Sequence, residues 1–391
     1  MMIQLVPLED SEQVHRLRDY SFSNKYIGEK RDDFQYWVEY STTIGAYDGR
    51  KLVGQLLVLP LNMTIHQTTY KMGGIGFVCT YPEYRNRGIM KKLMIRALEE
   101  MRENGQCISV LAPFSVSFYR YFGWELFFDK LNYSIPTEAF PNFGNQLDVV
   151  KRFSFEWLDE QLFDEVCTFY NDNAGIMNGF MKRDTAWWKR IQRREPDSHF
   201  AAYYKDDEIQ GFVRYQIQNL TFIIKDFVVK DHFAEKAMWR YISSHSASVY
   251  HITGNTAGTS HFGFHFNQPQ FKKELVQDCM VRIVDVEAFL KEYNWAELTE
   301  KLYLRIQDPF AQWNEKLYCI NREGQTEVIE MDSIPNGQIL SLSINIFSAL
   351  IVGYLSIAES MLYADHQLDD SALMLWNKAL RTEKPAFYEY F

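Results

Sequence analysis

The sequence predicts an α/β protein of three closely packed domains, and three observations lead there. At 391 residues the chain is longer than a single hydrophobic core usually grows. Through about residue 150, strand-like apolar runs are interleaved with segments repeating at three- and four-residue steps. That order returns more faintly over residues 151–285, and from Val284 a different mixture follows.

Taken in order, Asp10 and Ser11 offer caps for a helix through Tyr20, with Val14 and Leu17 on one face. A second helical stretch covers Asp32 to Tyr40. Ile44–Tyr47 and Leu52–Leu59 flank Asp48-Gly49 and read as a hairpin. Pro60 is expected to interrupt, with further strands at Leu61–His66 and Tyr70–Thr80. Ile89, Met90, Leu93, Met94, Ala97, Leu98 and Met101 define the strongest helix, closed by Asn104-Gly105. A buried strand at Ile108–Leu111 and a short helix from Ser115 to Tyr121, ended by Gly123, complete a first domain over 1–150.

Over 151–285, helices at Leu158–Asn171 and Asp184–Arg193 precede strands at Phe200–Tyr204, Gly211–Gln218 and Phe222–Val229. A helix follows from His232 to Ser244. In 286–391, helices at Val286–Tyr293 and Phe347–Ser360 flank strand-like segments at Leu302–Ile306, Trp313–Ile320 and Gln338–Asn345. No Pro/Ser/Gly-rich linker separates the three parts.

Composition narrows the function classes. With 47% hydrophobic and 24% charged residues and 11 prolines, the chain is neither disordered nor fibrous. A formal charge of −10 argues against a general nucleic-acid binder. Residues 286–391 hold 8 basic and 16 acidic residues, a net of −8, whereas each earlier domain is at −1. This acidity reads either as a solvated face or as a field attracting cationic substrates. The five cysteines are scattered without zinc spacing, so no metal is expected and the thiols fit a reducing cytoplasm. His261 and His265 lack an accompanying carboxylate motif. No apolar run approaches the roughly 20 residues of a membrane helix, so neither a membrane nor a nucleic-acid partner is expected.

The informative segment is Val78-Cys79-Thr80-Tyr81-Pro82-Glu83-Tyr84-Arg85-Asn86-Arg87-Gly88-Ile89-Met90, between a strand and the strongest helix. A first helical turn has unpaired N–H groups and the positive end of the dipole, Gly88 permits close backbone approach, and Arg85 and Arg87 add charge. Such a junction suits a pyrophosphate, although an ordinary strand-to-helix turn with surface arginines reads the same way.

The segment resembles the Gcn5-related N-acetyltransferase superfamily, whose signature is Gln/Arg-x-x-Gly-x-Gly/Ala opening a helix. Arg85 and Gly88 match, and Met90 stands where Gly or Ala is usual. A narrower resemblance covers the whole chain. The Arg-Asn-Arg-Gly-Ile-Met turn, Phe118-Tyr119-Arg120-Tyr121-Phe122-Gly123-Trp124 and a C-terminal Phe391 are similar to Eis-like acetyltransferases. That resemblance implies two tandem acetyltransferase-type domains, the second degenerate, followed by a sterol-carrier-protein-like domain. It implies acetyl-CoA as co-substrate, its pantetheine arm along the backbone of Val78, Cys79 and Thr80. Its pyrophosphate would lie on the turn and helix start formed by Arg85, Asn86, Arg87, Gly88, Ile89, Met90 and Lys91. It also implies Tyr119 as general acid, the Phe391 α-carboxylate as general base, aminoglycoside-type polyamines among the acceptors, and a hexamer.

The chemistry is coherent. An aliphatic amine of pKa about 10.4 is mostly protonated at neutral pH and needs a proton acceptor, a role open to a carboxylate desolvated among aromatics. A thiolate leaving group of pKa about 8.5 and a tyrosine of about 10 exchange a proton at little cost. Direct attack needs no enzyme nucleophile, so Cys79 and Cys107 read as packing residues. The expected function is N-acetyl transfer to primary amines of a cationic acceptor, either aminoglycoside-like or a lysine. The alternatives are a protein lysine or N-terminal acetyltransferase and a non-catalytic acyl-CoA or lipid-binding module. In the last, the Ile344–Leu355 stretch would line a lipid tunnel.

Overall fold

The computed structural model describes residues 1–391 apart from 146–147, 259–260, 331–333 and 364–366. In chain order, β1 (Met2–Leu5) precedes helices α1 (Ser11–Ser21) and α2 (Glu29–Tyr40). Next come strands β2 (Thr42–Asp48), β3 (Lys51–Ile65) and β4 (Thr68–Thr80), helix α3 (Ile89–Glu103), β5 (Ile108–Leu111), α4 (Val116–Tyr121) and β6 (Glu125–Leu126). There follow β7 (Lys130–Pro136), β8 (Val149–Ser154), helices α5 (Glu160–Asn173) and α6 (Thr185–Arg194), and strands β9 (His199–Lys205), β10 (Glu208–Gln218) and β11 (Thr221–Val229). Helix α7 (His232–Ser243), β12 (His251–Ala257), β13 (Lys272–Val276), β14 (Met280–Ile283) and α8 (Val286–Lys291) come next. The chain closes with β15 (Leu302–Gln307), β16 (Leu317–Ile320), β17 (Thr326–Ile329), β18 (Ile339–Ser343), α9 (Ile344–Ile351), α10 (Ile357–Met361) and α11 (Asp370–Ala379).

The chain divides into two compact units. The first, Met1–Phe128 with Asn178–Met181 and Asp278–Phe391, holds two sheets, ordered β1-β2-β3-β4-β5-β14-β6 and β17-β16-β15-β18. The second, Asp129–Met177 with Lys182–Gln277, holds one sheet, ordered β13-β7-β12-β11-β10-β9-β8. The sheets therefore depart from the expected boundaries at 150 and 285. β7 pairs with β12 and β13 in the second unit, and β14 pairs antiparallel with β5 (Met280↔Leu111) and with β6. The reason is non-local: β5 is buried along its whole length, and an equally buried strand must close its free edge.

Three local expectations also change. The strand β1 was missed, being too short for a periodicity signal. Pro60 does not break β3, because β2 pairs only as far as Val58 and leaves the proline on an unpaired edge. The helix expected over Phe347–Ser360 is two, α9 and α10, parted at Gly353, whose φ of 85° no helix accommodates.

The core of the first sheet comes from β-strand residues such as Val53, Leu56 and Ile75 facing the α3 stripe of Ile89, Leu93, Met94, Ala97, Leu98 and Met101. Helix α9 buries Ile344, Phe347, Leu350 and Ile351, and its Ser348 Oγ accepts from the Ile283 N–H of β14 at 2.9 Å. Its apolar side chains are thus committed to the core of this unit, which disfavours a tunnel lined by this stretch.

Arg282 of β14 is fully buried and donates to both oxygens of buried Asp308 (2.9 and 2.7 Å) and to the Phe122 carbonyl (2.6 Å). Asp308→Ala is therefore expected to leave an uncompensated buried cation. Unfolding in urea should show a loss of about 3–5 kcal/mol, with the midpoint falling accordingly.

Candidate functional site

A cavity of about 1020 Å³ opens where β4 leaves its neighbour. Parallel pairing of β4 with β5 covers Met72↔Ile108, Gly73↔Ser109 and Gly74↔Val110, then stops. On its other edge β4 stays paired to β3, but the register shifts between Leu57↔Gly76 and Gln55↔Cys79. This bulge puts one extra residue into β4, and Phe77 takes a φ of 54° there. From Ile75 to Thr80 the strand has β3 on one side and the cavity on the other. Its peptide groups face the space and can pair with an extended, amide-bearing ligand.

The turn from β4 into α3 forms one wall. A 3-10 turn at Pro82–Tyr84 leads to Asn86 (φ 60°) and then Gly88 (φ 70°), the N-cap of α3. A Cβ on Gly88 would meet nothing within 4 Å, so this side of the backbone is open. No side chain caps α3 and no acidic residue lies in its first turn, which leaves N–H groups and the positive dipole end to an anion. Met90, partly buried, packs against the hydrophobic core. Val78, Cys79, Thr80, Arg85, Asn86, Gly88, Ile89, Met90 and Lys91 all line the cavity. Arg87 is not in the lining; its guanidinium lies 5.2 Å from the centre of the Tyr84 ring.

Tyr119 stands opposite, on α4. Ser115 caps this helix by accepting from the Phe118 N–H, and Gly123 (φ 95°) ends it. The Tyr119 ring is buried among Phe114, Phe118 and Trp124. Its hydroxyl has no hydrogen-bond partner among the described residues, and burial pushes the phenol above its usual range, so it carries its proton at neutral pH. Burial also pushes the Cys79 and Cys107 thiols up to about 12, which keeps both un-ionised and inert.

The C-terminal tail ends in the same cavity. Phe391 lies across β4 where two glycines on one face make room. A Cβ on Gly74 would stand 2.8 Å from the Phe391 ring, and one on Gly76 would stand 3.5 Å from its carboxyl carbon. The Asn178–Met181 segment places the tail. It lies along the free edge of β3 through Thr64 and Phe180, the Asn178 carbonyl accepts from Ala386 N–H, and its amide donates to the Glu383 carbonyl. Phe387 packs near Phe127, and Tyr388 near Phe128 and Phe180. Sequence reasoning found Phe391 but missed this seat. The available signal was Gly73-Gly74-Ile75-Gly76, three glycines in four strand positions, which marks close approach of another group.

In the second unit the corresponding junction is built differently. Only Lys230 and Asp231 separate β11 from α7, and the Asp231 carboxylate accepts from the Phe233 and Ala234 N–H groups at 2.9 Å. Those hydrogen bonds hold its carboxyl below the usual range, so a negative charge already occupies the helix start.

Residues 3–127 match an acetyltransferase (GNAT) domain, residues 179–283 match a second acetyltransferase (GNAT) domain, and residues 286–388 match a sterol carrier protein domain. An uncharacterized N-acetyltransferase of Streptomyces avermitilis is 23% identical over 354 residues, covering 84% of each chain. A probable N-acyltransferase from Enterococcus faecalis superimposes with a TM-score of 0.91 at 26% identity, covering 100% of this chain and 99% of that one. Eis1 from Mycobacterium abscessus shares the fold over 100% of both chains, with a TM-score of 0.83 at 15% identity. No helix among the described residues is long and apolar enough to cross a membrane.

Two predictions test the seat of the tail. Gly74→Val is expected to displace the Phe391 ring, read as faster trimming by a carboxypeptidase with an unchanged circular dichroism spectrum. His66, buried beside Glu383 of the tail, has its pKa lowered by burial to about 4. A neutral imidazole is favoured in the fold, so stability present above pH 6.5 should fall as pH drops from about 6.5 to about 4, by up to about 3 kcal/mol. His66→Leu should flatten that slope in denaturation curves.

Proposed function

We propose that this chain, a tandem GNAT acetyltransferase with a C-terminal sterol carrier protein domain, moves an acetyl group from acetyl-CoA to a primary amine. Tyr119 acts as general acid and the Phe391 carboxylate as general base. GNAT domains use acetyl-CoA and act on amine acceptors, and the first unit has the features such a ligand needs. The free edge of Val78, Cys79 and Thr80 would hold the pantetheine amides. The uncapped start of α3, with Arg85, Asn86 and Lys91 beside it, would hold the pyrophosphate. The single observation that carries the reading is that Tyr119 and Phe391 line one cavity with this turn, although 272 positions separate them in the sequence.

Acetyl-CoA supplies an activated acyl group, and the acceptor nitrogen displaces its thiolate directly. The Phe391 carboxylate takes a proton from the ammonium, freeing the nitrogen lone pair. Tyr119, kept protonated by its apolar surroundings, gives its hydroxyl proton to the departing sulfur. The second proton lost by nitrogen restores the phenol. The products are the amide and the free thiol, with one proton released to solvent. The acceptor is an amine protonated at neutral pH, a class that includes aminoglycoside-type molecules and lysine side chains. Assembly as a hexamer belongs to the same reading.

Tyr119→Phe, and separately one alanine appended after Phe391, are each expected to lower kcat by on the order of 10²–10⁴-fold. Acetyl-CoA affinity in calorimetry should stay within about twofold, the signature of a lost proton-transfer group. Unchanged turnover with the extended tail would remove the carboxylate from the mechanism. A non-catalytic binding module would release no thiol with any amine.

A further inference from the structure

Tyr119 stands near the end of α4, a helix of six residues and too short to hold its shape alone. The last carbonyls of such a helix need donors that the helix itself lacks. Some come from the turn that follows. The Tyr119 carbonyl accepts from the Phe122 and Trp124 N–H groups at 3.0 and 3.1 Å, and the Arg120 carbonyl accepts from Gly123 N–H at 3.0 Å. Others come from residues 160 to 225 positions further along the chain. Arg282 of β14 donates to the Phe122 carbonyl at 2.6 Å. The side-chain amide of Asn345, in the first turn of α9, donates to the carbonyls of Arg120 and Trp124, both at 2.9 Å.

Two carbonyl oxygens facing one end of this amide require that end to be the nitrogen, with one hydrogen for each. The bridge spans the turn that closes on Tyr119. Its base is firm, because Ser348 of α9 accepts from the Ile283 N–H of β14 at 2.9 Å, and β14 pairs with β6, the strand after α4. Gly123 is needed where the elements cross. Its φ is 95°, and a Cβ there would overlap the Arg282 guanidinium. Phe310 adds apolar contact, its ring 5.0 and 5.1 Å from those of Tyr121 and Phe122.

We infer, resting on the reading of Tyr119 as general acid, that Asn345 is a positioning residue for the transfer. The part matched as a sterol carrier protein domain then has a task in the reaction besides ending in Phe391, which is to hold the seat of the acid. A proton donor must lie within hydrogen-bond reach of the departing sulfur, and a misplacement of about 1 Å can cost about 10²-fold. Among the described residues no partner steers the Tyr119 hydroxyl, so ring packing and the backbone beneath it set its aim. Arg282 shares this task, but it belongs to a fully buried ion pair whose loss threatens the fold. Asn345 is only half-buried, so the carbonyls it serves can turn to water when it is removed.

The test reads thiol release from acetyl-CoA with kanamycin and with Nα-acetyl-lysinamide as acceptors. Asn345→Ala is expected to lower kcat by about 10–100-fold, with KM for acetyl-CoA within about twofold. Asn345→Asp, of the same size but without a donor when ionised, should lose as much. Asn345→Gln keeps the amide and should recover part of the rate. Ser343→Ala is the control, since Ser343 caps α9 by accepting from Ile346 N–H. It weakens the same helix, yet should keep kcat within about twofold. In a Tyr119→Phe background, Asn345→Ala should cost no more than about a further twofold. Full kcat in both Asn345→Ala and Asn345→Asp, equal losses in Ser343→Ala, or losses that multiply in the double variant would overturn the inference and leave acetyl transfer standing. Full turnover by Tyr119→Phe, or no thiol release with either acceptor, would instead overturn the reading on which it rests.

Discussion

The cavity of the first unit depends on the point where two parallel strands stop sharing hydrogen bonds. After Gly74↔Val110, β4 and β5 diverge, and the β4 peptides beyond are left beside open space. A strand edge is normally a liability that proteins cover or pair. Here the bulge at Phe77 turns it into one wall of a cavity, and the turn into α3 supplies a second. The polar groups the fold leaves over, along the strand and at the helix start, are the groups an extended, anionic thioester needs.

The second unit builds the same kind of junction differently. It repeats a parallel strand pair, β11 and β12, and a helix after the first of these. Its linking turn is cut to two residues, and Asp231 folds its own carboxylate onto the helix N-terminus. An aspartate cap satisfies the orphaned donors internally. One side chain thus supplies the negative charge at this helix start.

The elements that sequence reasoning recovered are those whose signal is local. The α3 stripe, the Gly88 turn, the Ser115 cap before Tyr119 and strand Ile108–Leu111 all announce themselves within a dozen residues. What escaped was set by distant partners. Nothing within β7 or β14 tells which sheet each will join, because the choice lies with their partner strands β12 and β5. Phe391 was singled out through family likeness, whereas its seat was written in Gly74 and Gly76, glycines that make sense only once the tail lies over them. Arg87 looked equivalent to Arg85 in the sequence, yet its guanidinium lies by the Tyr84 ring and outside the cavity lining.

The placement of β14 carries a consequence for how the molecule is made. As the polypeptide leaves the ribosome, β5 and β6 emerge early, yet the strand that lies between them is translated only after the entire second sheet has appeared. The nascent first domain must therefore wait with a gap in its sheet, its hydrophobic edge sheltered by other means, until Met280–Ile283 arrives to close it. Assembly cannot proceed strictly from front to back, and a nascent chain truncated before that strand would be prone to sticking to its neighbours.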